Sequence, residues 1–112
     1  GTAEVSEALG AKVIVVGTES GRAARDIRRY FPTATILAIT NNERTANQLM
    51  LSRGVIPYVD GNSETLDSFF NLAEKVTVEL GLVSREDIIV AICGESVFKR
   101  GTTNSVKVIE IK

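Results

Sequence analysis

The residues best equipped for chemistry stand together in Gly17-Thr18-Glu19-Ser20-Gly21-Arg22. A wholly apolar run, Val13-Ile14-Val15-Val16, leads into this stretch, and a helix-patterned run over residues 22–30 leads out of it. A strand that passes through two glycines and two hydroxyls into a helix start gathers backbone N–H groups and the positive end of a helix dipole at one point, which suits an anion. Thr18 and Ser20 can cap those amides or donate to a phosphate, and Arg22 adds a planar, permanently charged fork. The plainer reading is an ordinary capped strand-to-helix turn with a surface arginine, and the loop alone leaves both open. It is not a Walker loop, because the G-x-x-x-x-G-K-[ST] spacing and its lysine are missing, and G-x-x-x-G does not fit the G-x-G-x-x-G dinucleotide fingerprint.

Composition removes several alternatives. There are 112 residues, enough for one domain with a single core. A formal net charge of −1 provides no global field for nucleic acid or an acidic membrane, and four Phe and two Tyr leave little to stack bases on. No histidine is present, which removes the commonest general base and metal ligand. The one cysteine, Cys93, excludes an internal disulfide. It ends an apolar run over residues 88–92, where a buried, inert thiol is the ordinary outcome. No stretch approaches the ~20 apolar residues of a membrane span and no secretory leader pattern is visible, so a cytoplasmic protein is expected.

The elements that must position these residues follow in order. Residues 2–9 read as a short helix closed by Gly10, starting as though a longer helix had been cut, so a piece of a larger chain is expected. Residues 13–16 form a strand apolar on both faces. The helix over 22–30 ends before Pro32 and carries Arg22, Arg25, Arg28 and Arg29, either a solvated basic face or a subunit contact. A second strand over 36–39, a helix over 43–53 and a third strand over 55–59 come next, and Pro57 places that strand at an edge. The longest helix is expected over 64–80, with Leu66, Phe69, Phe70, Ala73, Val76 and Leu80 spaced three and four apart. A doubly buried strand over 88–92, a polar loop over 94–104 and a mixed-pattern edge strand over 106–111 complete the chain.

Strands alternating with helices imply an α/β fold, a three-layer sandwich on one five-stranded mixed sheet. Only the last two strands lack a helix between them, so the last runs antiparallel. Right-handed crossovers set the third strand outside the second and the second beside the first, and the long helix returns the chain to the first strand's other side, giving the order 3-2-1-4-5. Ligands of such sheets bind at strand carboxyl ends where the order reverses, here between the first and fourth strands. The loops meeting there are 17–22 and 94–104, and the second carries Ser96, Lys99, Arg100, Gly101, Thr102, Thr103 and Asn104. Their convergence favours a phosphate site, provided that Glu19 and Glu95 face outward.

Thr18-Glu19-Ser20-Gly21-Arg22-Ala23-Ala24, Tyr30-Phe31-Pro32 with Ala34-Thr35-Ile36-Leu37-Ala38-Ile39-Thr40, Thr45-Ala46 through Leu49, Leu51 to Arg53-Gly54-Val55-Ile56-Pro57, and Gly101-Thr102-Thr103-Asn104 stand in one register. Together they resemble the C-terminal domain of pyruvate kinase over nearly the whole chain. The resemblance implies a single regulatory domain over residues 1–112, excised from a longer chain, that binds a sugar phosphate effector, typically fructose 1,6-bisphosphate. It implies phosphate contacts from Thr18, Ser20, Gly21, Arg22 and Ala23, and a covering loop from Ser96, Lys99, Arg100, Gly101 and Thr102. It further implies a parent catalytic domain and sister subunits in a tetramer as partners. Phosphate transfer between phosphoenolpyruvate and ADP, with its magnesium and potassium, would belong to a barrel absent here, leaving this chain without cofactors or catalysis of its own.

One departure bears on the effector. Animal and fungal members grip a second phosphate with a tryptophan and an arginine, whereas this chain has no tryptophan and Phe69 aligns with that arginine. Either Lys99 or Arg100 supplies the charge, or the effector carries one phosphate, as a hexose, pentose or nucleotide monophosphate does. Alternatives of other classes are a purely structural oligomerisation module, a stand-alone sugar-phosphate or nucleotide-binding protein, and an enzyme acting on phosphorylated substrates. The last lacks any visible acid–base apparatus.

Overall fold

The computed structural model describes residues 10–31, 33–61, 65–93 and 105–112. The expected helix over 2–9 and the polar loop over 94–104 lie outside them. Among the described residues five strands and three helices follow one another as β1 (Val13–Gly17), α1 (Arg22–Tyr30), β2 (Thr35–Thr40), α2 (Glu43–Leu49), β3 (Val55–Val59), α3 (Leu66–Glu79), β4 (Ile88–Cys93) and β5 (Ser105–Glu110). The sheet order is β3-β2-β1-β4-β5, with β4 and β5 antiparallel and every other pair parallel, as the crossover argument requires.

The apolar runs become strands because successive side chains alternate between two covered faces. Ile14, Val16, Ile36, Ala38, Val90 and Ile92 pack with Ala24 of α1 and Leu49 of α2. Val13, Val15, Leu37, Ile39, Ile89, Ala91 and Cys93 pack with Phe69, Phe70, Ala73 and Val76 of α3. The helices therefore lie on both sides of the sheet. Pro57 sits in β3, opposite Ala38 of β2, on the edge strand where its missing N–H removes no ladder bond to a further strand. No helix among the described residues is long and apolar enough to cross a membrane.

The middle helix differs from its expected extent. It ends at Leu49 rather than Arg53. The amides of Leu51 and Ser52 reach back only three residues, to the carbonyls of Gln48 and Leu49, so the chain tightens and unwinds toward Gly54 at φ 81°. Helix α3 starts at Leu66 because Thr65 and Ser68 exchange hydrogen bonds, each hydroxyl accepting from the other's amide at 3.0 Å.

The turn leading into β4 carries the one left-handed residue among the described non-glycines, Glu86 at φ 75°. It is held by the Asp87 amide donating to the Ser84 carbonyl at 3.0 Å and the Glu86 amide donating to the Ile111 carbonyl at 2.7 Å. An L-residue pays roughly 1–2 kcal/mol for that backbone, which glycine avoids at the expense of greater unfolded-state entropy. Glu86→Gly is expected to stabilise the fold by about 0.5–1 kcal/mol, read as a higher denaturant midpoint at unchanged slope. A lowered midpoint would show that the glutamate side chain contributes more than the strain removes.

Candidate functional site

The strand-to-helix turn after β1 is built from the sheet outward. Thr18 is fully buried, and its amide donates to the Ile39 carbonyl at 2.9 Å, carrying the β1–β2 contact one residue past the strand. Its hydroxyl accepts from the Gly21 amide at 2.9 Å, and the exposed Ser20 hydroxyl accepts from the Arg22 amide at 3.2 Å. Both hydroxyls thus serve as internal caps, one of the two roles open to them in the sequence. Gly21 is the N-cap of α1 at φ 86° and is buried. A Cβ there would lie 2.9 Å from Arg25 Nη1 and 3.2 Å from Leu49 Cδ2, so both conformation and space call for glycine. Arg22 is exposed at the first helical position, and Ala23 behind it is half-buried. Glu19 is exposed.

Two further residues hold this turn and escaped the sequence reading. Thr45 of α2 donates from Oγ1 to the Glu19 carbonyl at 2.6 Å, and Arg25 Nη2 donates to the Ser20 carbonyl at 3.3 Å. Thr45 shares the buried face of α2 with Ala46 and Leu49, which is the signal that marks it. The arginines of α1 divide accordingly. Arg25 and Arg28 bind carbonyl groups, the latter reaching Arg53 O from Nε at 2.6 Å and Phe31 O from Nη1 at 3.2 Å. Arg22, Arg25 and Arg29 are exposed and Arg28 is half-buried. Two of the four charges thus bond carbonyl groups of the fold.

The expected second loop, with Ser96, Lys99, Arg100, Gly101 and Thr102, lies outside the described residues. Its anchors do not. Gly17 pairs with Cys93, and Cys93 pairs with Ser105, so the chain leaves β4 and re-enters β5 level with the turn. With strands ~4.8 Å apart, those anchors stand about one and two strand spacings from Gly17. Cys93 is buried and desolvation pushes its thiol above the ordinary value, which keeps it protonated and a weak nucleophile. Among the described residues no three or more of His, Cys, Asp and Glu gather as a metal site.

Two substitutions test this construction. Gly21→Ala is expected to destabilise by at least ~1–2 kcal/mol, the left-handed penalty before any clash. Arg28→Ala is expected to lose about 1 kcal/mol with its carbonyl contacts, while Arg29→Ala stays within ~0.5 kcal/mol of the parent. Equal melting temperatures for the Arg28 and Arg29 variants would contradict the assigned division of labour.

A family model for the pyruvate kinase alpha/beta domain matches residues 1–109. Pyruvate kinase of Staphylococcus epidermidis is 41% identical over 100 residues, which is 89% of this chain and 17% of that protein. That of Lactococcus lactis is 40% identical over 107 residues, 96% of this chain and 21% of its own length. A Cryptosporidium parvum pyruvate kinase solved in complex with ADP superimposes with a TM-score of 0.84 at 29% identity, covering 98% of this chain and 22% of that one. The chain therefore spans about a fifth of the length of these relatives. With the whole fold, the strand order and nearly every residue accounted for by that match, the chain belongs to the pyruvate kinase family as its alpha/beta, C-terminal domain.

Proposed function

We propose that this chain is the allosteric effector-binding and subunit-contact domain of a cytoplasmic, tetrameric pyruvate kinase, and that it holds one phosphate of a sugar phosphate on the turn after β1. The observation that carries this reading is the placement of that turn. Thr18, Ser20, Gly21, Arg22 and Ala23 lie where the sheet order reverses, at the N-terminus of a nine-residue helix, with an exposed arginine at its first position. Ser96, Lys99, Arg100, Gly101 and Thr102 complete the site in this proposal, from a segment anchored at the same level. The parent enzyme would transfer phosphate between phosphoenolpyruvate and ADP in glycolysis, with magnesium and potassium held in its catalytic domain. This domain would need no cofactor, and neither nucleic acid nor membrane is among its proposed partners.

Subunit contact is favoured by a separate observation. Strand β5 is a sheet edge on which Val106 and Val108 are 45% and 41% exposed. Replacing both with lysine is expected to lower the sedimentation-measured assembly state of the protein without unfolding it. An unchanged assembly state would remove β5 from the contact.

The phosphate reading is tested by calorimetric titration with fructose 1,6-bisphosphate and with a hexose monophosphate. A hydrogen bond to a charged group contributes ~1.5–3 kcal/mol. Arg22→Ala should therefore weaken binding roughly 10- to 100-fold. Arg29→Ala is the proper control, exposed on the same helix and outside the turn. Equal losses for the two variants would reduce the site to diffuse attraction. Equal affinity for the two ligands would show that the second phosphate finds no partner, consistent with Phe69 and the missing tryptophan.

A further inference from the structure

The most exposed large apolar side chains among the described residues are Leu51, Tyr30 and Met50, at 90%, 73% and 67%. Single apolar residues on a surface are ordinary, but these share one end of the molecule. Strands β1, β2 and β3 are parallel, so α1 and α2 run back between them and finish level with the strands' amino ends, at the pole opposite the turn after β1. Tyr30 is the last residue of α1, Met50 is the C-cap of α2 and Leu51 follows it. The two helix ends are stitched together. Arg28 of α1 donates from Nε to the Arg53 carbonyl at 2.6 Å, and the Ile36 amide of β2 donates to the Gly54 carbonyl at 3.0 Å.

The fold makes little use of these side chains. Met50 and Leu51 are held by their amides, which donate to the carbonyls of Ala46 and Gln48, and neither they nor Tyr30 belong to a core cluster. Arg29 and Arg53, both exposed, flank them in sequence. An apolar centre bordered by cations fits a protein surface that is itself apolar at its centre and edged with carboxylates.

The length and path of the parent chain point to the occupant. The match takes up 17% and 21% of the two bacterial relatives, so about four-fifths of such an enzyme lies outside this domain. A C-terminal domain receives that remainder through the chain before β1, which arrives at the same pole. There the Lys12 amide donates to the Ile88 carbonyl at 2.7 Å, at the amino end of β4, and Ala11 packs on the core cluster that α1 and α2 share.

We propose that Tyr30, Met50 and Leu51 are the centre of the surface on which the catalytic domain of the parent pyruvate kinase docks, with Arg29 and Arg53 at its rim. The inference rests on the reading of this chain as one domain of that enzyme, and it is independent of the phosphate site at the other pole and of the contact through β5.

The test places this chain in Staphylococcus epidermidis pyruvate kinase in exchange for the 100 residues that match it, and compares that complete enzyme with the 112-residue protein by hydroxyl-radical labelling. Leu66, exposed at the amino end of α3 and therefore at the opposite pole, is the control. Tyr30, Met50 and Leu51 should be oxidised roughly 5-fold or more slowly in the complete enzyme, as loss of solvent at an interface centre requires, and Leu66 at the same rate in both. Leu51→Asp should leave the melting temperature of the 112-residue protein unchanged and lower that of the complete enzyme. If the exchanged enzyme does not fold, Lactococcus lactis pyruvate kinase is the second host. Equal labelling of Tyr30, Met50 and Leu51 in an active complete enzyme would overturn the docking surface and leave the family membership standing. Equal slowing at Leu66 would remove the preference for this pole. Slow labelling already in the 112-residue protein, with a dimer in sedimentation, would give the surface to a second copy instead. A lower melting temperature for Leu51→Asp in the 112-residue protein would make Leu51 a packing residue. Loss of phosphate transfer from phosphoenolpyruvate to ADP in both hosts would overturn the reading of this chain as such a domain, and this inference with it.

Discussion

Strand β1 is hydrogen-bonded along both edges, to β2 and to β4, and all five of its residues are buried. Such a strand cannot shift or twist without breaking two ladders and opening two cores at once. Each buried Val or Ile side chain contributes ~1.5–3 kcal/mol relative to exposure, so even one register slip would be prohibitive. The rest of the architecture follows from that constraint. A doubly apolar strand demands helices on both faces, helices between parallel strands demand crossovers, and right-handed crossovers fix the order β3-β2-β1-β4-β5. The reversal beside β1 is thus a consequence of packing, and the turn after β1 inherits a support held on both edges and both faces.

The turn is held from three directions by groups of different chemistry. The sheet holds it through the Thr18 amide, α1 through the Arg25 guanidinium and α2 through the Thr45 hydroxyl. Gly21 lets the backbone pass between Arg25 and Leu49, where a side chain of its own would collide with both. Arg28 repeats the device at the far end of α1, where it joins the helix to the segment before β3. Helix α1 is accordingly braced at both ends by its own arginines donating to carbonyl groups.

How much of this was legible in the sequence depends on the range of the interaction. Strand positions and order were readable because they rest on long apolar runs, one proline and a rule of handedness. The third strand kept its expected bounds, and the others gained or shifted only a residue at an end, as with Gly17, Thr40 and Cys93. The position of Gly21 and the capping roles of Thr18 and Ser20 were readable because their partners lie within three residues. The excess length expected for α2 arose because residues 50–53 carry helix-compatible side chains, while the amides of Leu51 and Ser52 reach back three residues, not four. Thr45 to Glu19 and Arg28 to Arg53 were not readable, since each joins a common side chain to a backbone carbonyl about 25 residues away, and a carbonyl leaves no mark in the sequence.

The internal caps set the terms on which any oxyanion could occupy the turn. The Gly21 amide already has a neutral hydroxyl acceptor at 2.9 Å and the Arg22 amide has one at 3.2 Å. An anion drawing on those amides would gain only the difference between a charged and a neutral acceptor, roughly a factor of two in hydrogen-bond strength, rather than a whole bond. The released hydroxyls could then turn and donate to it, Ser20 more easily than Thr18, because the former is exposed and the latter fully buried. The exchange favours a ligand with full charge and several oxygens over a carboxylate or a neutral sugar hydroxyl, because more of its bonds exceed those that they replace. Selectivity for phosphate would then come from the turn's own internal bonds as much as from the groups that line it.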